Sequence, residues 1–223
     1  MIKNLIKIIF ITILLVINCS VYAATSNWKI SKLNENKILQ MRLFSGTEGV
    51  IGIKKIPIAF EVITNPGWKI YWRYPGDAGL PTQIDYSNSI NIKKLDIFWP
   101  APFRFSTFGI DTFGYEGKII LPINLIPETI NEEINLISQI SLLACNEICI
   151  PFKQDFVLNI PKKAHAPNLN TRERAKYLSL VPKLIIPKGF SIGAVALNED
   201  GILLERIKFP INNYDVFVEN EKG

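Results

Sequence analysis

The chain has 223 residues, 48% hydrophobic and 20% charged, with 14 Pro, 13 Gly and three Cys, a composition that excludes collagen-like repeats, low-complexity disorder and a disulfide-dense miniprotein. Its formal net charge is +5, with no basic run and no basic and aromatic interleaving, which argues against a nucleic-acid partner. This length accommodates one generous core or two small ones, since single cores serve on the order of 100 to 200 residues.

The amino terminus reads as a secretory signal over residues 1–23. Lys3 and Lys7 form a positive start, Ile8 to Ile17 is apolar apart from Thr12, and Val21-Tyr22-Ala23 offers a cleavage site near Ala23. The apolar run is shorter than the roughly 20 residues that a spanning helix needs. Asn18 stands where a lipoprotein signal would carry a small residue, which disfavours lipidation at Cys19. Cleavage leaves 23 basic against 20 acidic side chains and only two thiols, Cys145 and Cys149. Export is therefore expected, with membrane contact only through the signal.

Beyond residue 23 the apolar residues recur mostly with period two, the pattern of strands with one buried face. Leu39, Met41 and Leu43 alternate with Gln40 and Arg42; Ile58, Phe60 and Val62 do so around Ala59 and Glu61. Asn65-Pro66-Gly67 and Pro75-Gly76-Asp77 punctuate the runs as turns. Trp68, Tyr71, Trp72 and Tyr74 crowd the segment between them, as core packing with a surplus available for docking. Lys118 to Leu125 and Asn135 to Ala144 are further strands, and Phe152 to Ile160 alternates again. Many short strands separated by turns predict an all-β sandwich over residues 24–161.

Residues 162–181 read as a polar linker and a short helix. Asn170 with Glu173 three positions on resembles a capping arrangement, and the helix is expected to run to about Leu180. After Pro182, Phe190–Leu197 and Gly201–Ile207 are strand-like, so 182–223 reads as an incomplete second β region.

Cys145 and Cys149 join two of these strands. If one ends a strand and the other begins the next, the hairpin brings their Cα atoms within disulfide reach, roughly 4.4–6.8 Å. The loop so closed is very short, so the entropy a bridge removes from the unfolded chain is small. On spacing alone the pair fits either a hairpin staple or an exchange site. Two cysteines, His165 and Met41 are too few soft ligands for a closed zinc site. His165 lies in the polar stretch and is expected to be solvated, which leaves no Cys-His or Ser-His-Asp constellation, and no nucleotide motif is present. No metal or cofactor is expected.

Four ordered motifs carry a resemblance. Gly67-Trp-Lys-Ile-Tyr-Trp-Arg-Tyr-Pro-Gly-Asp-Ala-Gly-Leu-Pro81, Phe98-Trp-Pro-Ala-Pro102, Phe108-Gly-Ile-Asp-Thr-Phe-Gly-Tyr-Glu-Gly117 and Cys145-x3-Cys149-Ile-Pro together resemble the amino-terminal periplasmic domain of the DsbD family of thiol:disulfide interchange proteins, in its ScsB-like branch. The resemblance covers about Ser26 to Pro161 and implies an immunoglobulin-like sandwich. It implies that Cys145 and Cys149 are the exchanging pair and that Phe108 and Gly109, with Phe105 and Phe103 beside them, form a cap that shields it. The same aromatics also fit the end of a core. The implied partners are periplasmic thioredoxin-like proteins and a separately encoded DsbD-like membrane electron donor. The segment ending Tyr214-Asp-Val-Phe-Val-Glu219 resembles the start of the second β domain of ScsB-like proteins. The family's acidic residues before the cap aromatic are replaced here by Phe105-Ser106-Thr107, leaving Asp111 or Glu147 as substitutes. A non-catalytic binding or assembly sandwich with a structural disulfide, and a truncated remnant of a DsbD-like protein, are the alternatives.

Overall fold

Two antiparallel sheets face one another in the computed structural model, which describes residues 24–107, 109–183, 188, 191–198 and 201–208. The signal segment 1–23 and Phe108 lie outside the described residues. The chain divides into a unit ending at Val181 and a second unit beginning at Pro182.

The first sheet orders its strands β1 (Lys29–Leu33), β2 (Asn36–Ser45), β3 (Ile56–Thr64), β9 (Lys118–Ile126) and β6 (Lys94–Ile97). The second runs β11 (Cys149–Ile160), β10 (Ile134–Cys145), β4 (Lys69–Gly76), β8 (Ile110–Glu116) and β7 (Phe103–Thr107), with β5 (Gln83–Asp85) also paired to β10. The period-two alternation becomes two inward faces. Met41, Val62 and Ile119 lie in register across β2, β3 and β9, as do Leu43, Phe60 and Leu121, and all six are buried. Facing them, Leu136, Ile140 and Leu142 of β10 and Phe156 and Leu158 of β11 are also buried. Phe60 meets Phe156 edge to face at 6.2 Å between ring centroids, closing the layer between the sheets.

Asn65-Pro66-Gly67 turns β3 into β4, with Trp68 N–H donating to the Asn65 carbonyl at 3.0 Å and Gly67 at φ 79°. Proline at the second turn position and a left-handed glycine at the third are what a type II turn requires. Both Tyr71 and Trp72 are buried, while Trp68 and Tyr74 are half-buried.

Residues 162–181 differ from a free linker. Pro167 and Ala164 bridge to Thr47 and Ile51. The helix α1 (Thr171–Leu178) covers the outer side of the first sheet. Arg174, 8% exposed, donates to the carbonyls of Ile58 and Ile123 and to Asn124 Oδ1 at 2.9, 3.1 and 2.6 Å. The polar composition of this segment reflects its use of side chains to satisfy a sheet's backbone. Glu61, expected on an outward alternation, is likewise buried there. It is held by Arg42 at 2.7 Å and Lys118 at 3.1 Å, and Lys118 also reaches Glu173 at 3.0 Å.

The helix start departs from the expected cap. Asn170 makes no side-chain cap bond. Asn168 Oδ1 instead accepts from Asn170 N–H, and Asn170 Nδ2 donates to the Ser45 carbonyl, while Glu173 is drawn to Lys118 rather than back to the cap.

In the second unit, β12 (Ser191–Asn198) and β13 (Gly201–Lys208) form an antiparallel hairpin. Phe190 and residues 209–223, including the Tyr214–Glu219 motif, lie outside the described residues. No helix among the described residues is long and apolar enough to cross a membrane.

Candidate functional site

β10 and β11 pair without interruption through twelve rungs, from Ile134 with Ile160 to Cys145 with Cys149. The last rung is a disulfide of 2.03 Å between sulfurs and 4.1 Å between Cα atoms. That Cα distance falls below the expected range and sits near the roughly 4.5 Å of a non-hydrogen-bonded antiparallel pair, because the two residues directly oppose one another. Asn146 N–H donates to the Ile148 carbonyl and closes the turn beyond them. The two halves of the bond differ in access: Cys145 is 2% exposed, whereas Cys149 is exposed.

The same rung continues across the sheet. Cys145 pairs with Lys69 of β4, and Lys69 pairs with Glu116 of β8. Directly opposed residues present their side chains on one face, so Cys149, Cys145, Lys69 and Glu116 form a row across four strands. Their neighbours Ala144 and Ile70 point to the other face and are buried in the core. The row therefore stands on the outer face of the second sheet. Tyr71, two residues along β4 from Lys69, shares that face.

An outer face would leave this row in solvent unless something covered it. Gly79 approaches the Tyr71 ring so closely that an added Cβ would lie 2.3 Å from it, at φ 109°; only glycine fits there. Tyr71 is consequently 4% exposed, and its hydroxyl stands 4.0 Å from Cys149 Sγ. Burial raises the Tyr71 pKa, which keeps the hydroxyl neutral and able to donate. On the other flank, Gly67, Lys69, Phe105, Ser106, Glu116, Cys145 and Asn146 line a cleft of about 310 Å³. The Lys69 ammonium lies 4.8 Å from the Phe105 ring centre and donates to Thr112 Oγ1 at 2.8 Å. Desolvation by burial lowers its pKa.

The same face carries an apolar groove of about 370 Å³. Leu80, Pro81, Leu143 and Pro151 are among its walls. Leu143 pairs with Pro151 one same-face rung before the disulfide.

The sequence-predicted residues are brought together in part. Cys145 and Cys149 are bonded, and Phe105 lines the cleft beside Cys145. Gly109, at φ 80°, lies between β7 and β8, whose terminal rung pairs Thr107 with Ile110. Phe103 is 64% exposed and Phe108 lies outside the described residues. Neither expected acid lines the Cys145 cleft. Asp111 is held by Arg104 at 2.6 Å and by the Ser106 hydroxyl, and Glu147 is exposed in the turn. The carboxylate that lines the Cys145 cleft is Glu116, whose Oε1 accepts from Gly67 N–H at 2.7 Å. Among the described residues no group of three or more His, Cys, Asp or Glu converges.

Residues 50–161, half of the chain, match the family model described as thiol:disulfide interchange protein DsbD, N-terminal. The chain belongs to the DsbD family. Its structure is similar to the crystal structure of the N-terminal periplasmic domain of ScsB from Proteus mirabilis, with a TM-score of 0.59 and 25% identity. The match covers 78% of this chain and 64% of that one, so the chain spans under two thirds of the ScsB domain's length. No curated protein sequence matches. The all-β, immunoglobulin-like sandwich expected from the alternation and the motifs is thus the fold of this DsbD-family domain. Membership also gives the outer-face disulfide a thiol:disulfide interchange setting in general terms. Lys69 and Glu116 were not singled out by sequence reasoning, and Tyr71 was read only as core or docking surface, although Lys69 and Tyr71 at a two-residue spacing beside Gly67 carry the signal of a shared strand face.

Proposed function

We propose that the chain is a periplasmic thiol:disulfide interchange module that relays reducing equivalents through the Cys145–Cys149 pair. Its partners are a DsbD-like membrane electron donor and thioredoxin-like proteins of the same compartment. The observation that carries this reading is the asymmetric disulfide at the open end of a hairpin, with one sulfur shielded and the other accessible. An attacking thiolate must approach one sulfur in line while the other leaves, and access favours attack at Cys149.

The electrons balance over two steps. A thiolate of the donor's dithiol attacks Cys149 Sγ, breaking the Cys145–Cys149 bond, forming a mixed disulfide and releasing Cys145 as thiolate. The donor's second thiol loses its proton and displaces Cys149, leaving the donor oxidised and this pair reduced by two electrons. In the second half-cycle Cys149 attacks a substrate disulfide, and Cys145 then attacks Cys149 Sγ. The internal bond re-forms, and the substrate leaves as a dithiol after protonation. Phe105, together with Phe108 and Gly109, serves as the shield that docking displaces.

The test is trapping. Cys145→Ser leaves Cys149 free, and this thiol is activated beforehand as a mixed disulfide with thionitrobenzoate. The thiolate of a reduced thioredoxin-like domain whose own resolving cysteine is removed is expected to displace thionitrobenzoate and accumulate as a mixed disulfide on Cys149. Cys149→Ser is expected to trap far less, because Cys145 is enclosed. Failure of both variants to trap, with a wild-type disulfide that resists the dithiol, would leave only a structural staple.

A further inference from the structure

We infer that Lys69 is the cation that holds the thiolate of Cys145 when the disulfide opens. The inference rests on the exchange reading above and deepens it by naming the group that receives the leaving sulfur's charge.

Register supplies the geometry. Lys69 directly opposes Cys145 across β4 and β10, and both line the same cleft on the outer face. In the oxidised chain Cys145 carries no charge. The ammonium is parked on Thr112 Oγ1 at 2.8 Å and against the Phe105 ring, both weaker acceptors than an anion. Among the described residues it has no carboxylate within ion-pair distance. Burial already penalises its charge, so a thiolate formed on the directly opposed residue offers a counter-ion that the resting state lacks.

The other charged groups around the cleft do not fill that role. Glu116 opposes Lys69 from the other side, on β8, and is anchored to Gly67 N–H. Asp111 is held by Arg104. Glu147 in the turn bears the wrong sign. Tyr71 stands on the Cys149 side with its hydroxyl 4.0 Å from that sulfur. Lys69 is therefore the one cation lining this cleft among the described residues.

When a donor thiolate attacks Cys149 Sγ, the electron pair of the broken bond departs on Cys145 Sγ. A nearby ammonium lowers the pKa of that leaving thiol, and exchange is faster from a better leaving group. The same interaction later keeps Cys145 ionised for its return attack on Cys149. No proton transfer from Lys69 is required; it acts as a charge.

The experiment reads Cys145 alone. In Cys149→Ala protein carrying Cys19→Ser as well, ultraviolet thiolate absorbance is titrated with pH, with Lys69 intact and with Lys69→Met, Lys69→Gln and Lys69→Arg. Met keeps the apolar stem, Gln retains a donor for Thr112 and Arg restores the charge. Loss of the charge is expected to raise the Cys145 pKa by about one unit or more, roughly a tenfold loss of thiolate at a given pH. Arg is expected to restore most of it. A pKa that stays within about 0.3 unit in Met and Gln alike, or a rise that Arg does not reverse, would overturn the assignment. If Met perturbs folding, Gln decides. Reduction of the two-cysteine wild type by a purified thioredoxin is followed in parallel. No reduction there, with the Lys69 effect intact, would sink the relay reading alone.

Discussion

The Tyr71 hydroxyl stands 4.0 Å from Cys149 Sγ, on the exposed side of a disulfide whose other sulfur is buried. This is a long contact to a neutral sulfur, but an O–H donor in this position gains a charge-assisted bond once Cys149 becomes a thiolate.

Tyr71→Phe therefore acts on the reduced form. The variant is expected to raise the Cys149 pKa and to slow reduction of a disulfide-containing peptide at neutral pH by about threefold to tenfold, with part of the loss offset by the greater nucleophilicity of the more basic thiolate. Rapid-mixing kinetics on the pre-reduced protein measure this. An unchanged rate would remove Tyr71 from the chemistry and leave it as packing beneath Gly79.

Reduction of the pair should cost the fold little. Cross-linking about five residues removes loop entropy worth only about 2 kcal/mol in the chain-entropy description, and eleven rungs below the disulfide hold the hairpin in register without it. The melting temperature is expected to fall by no more than roughly 4–8 °C on reduction. Calorimetry of both forms checks this, and a collapse of the transition would identify the bond as a staple.

Arg174 is expected to matter more to stability than either cysteine. Arg174→Ala strands the carbonyls of Ile58 and Ile123 and the Asn124 amide oxygen, a loss of about 2–3 kcal/mol. Lys in its place cannot reproduce the planar fork and is expected to recover little. Urea unfolding gives the comparison, with thiol exchange as the control that should stay near wild type.

The Lys118–Glu173 pair predicts a shallow dependence of stability on pH. The hydrogen bond and charge of Lys118 hold the Glu173 carboxyl below its ordinary 4.5. Its contribution is complete above that value and disappears as pH falls through the lowered one. Burial pulls the Lys118 pKa down, yet its hydrogen bonds to Glu173 and Glu61 outweigh this and hold it above 10.5. That contribution is complete below 10.5 and disappears as pH rises through the raised value. Both side chains are substantially exposed, 40% and 49%, so the Glu173 limb is worth no more than about 0.5–1 kcal/mol and shrinks with salt. Glu173→Gln should flatten the acid limb in chemical denaturation; an identical limb would show the pair to be energetically silent.

Much of the scaffold was legible because alternation is a local signal. The inward residues of β2, β10 and β11, the turn at Asn65-Pro66-Gly67 and the hairpin carrying Cys145 and Cys149 all follow from short stretches of chain. What escaped was set by register between distant strands. Nothing near Lys69 in the sequence announces that it will oppose Cys145, and the burial of Glu61 and Arg174 depends on a helix docking over the first sheet. At the helix start, Asn168 and Thr171 bond to the residues leading into the helix, and the side-chain cap expected from Asn170 is not made. The substitute acid expected at Asp111 is instead held by Arg104, which belongs to the opposing strand β7.

On the proposed relay, the unbroken ladder of β10 and β11 bears on how a partner would sense the state of the Cys145–Cys149 pair. With the pairing fixed by the rungs beneath, gain or loss of two electrons is recorded at the hairpin tip alone, in one bond, one buried sulfur and the side chains leaning on them. A visiting protein must read that state by touch, because little of it is transmitted as a change of shape elsewhere in the sandwich.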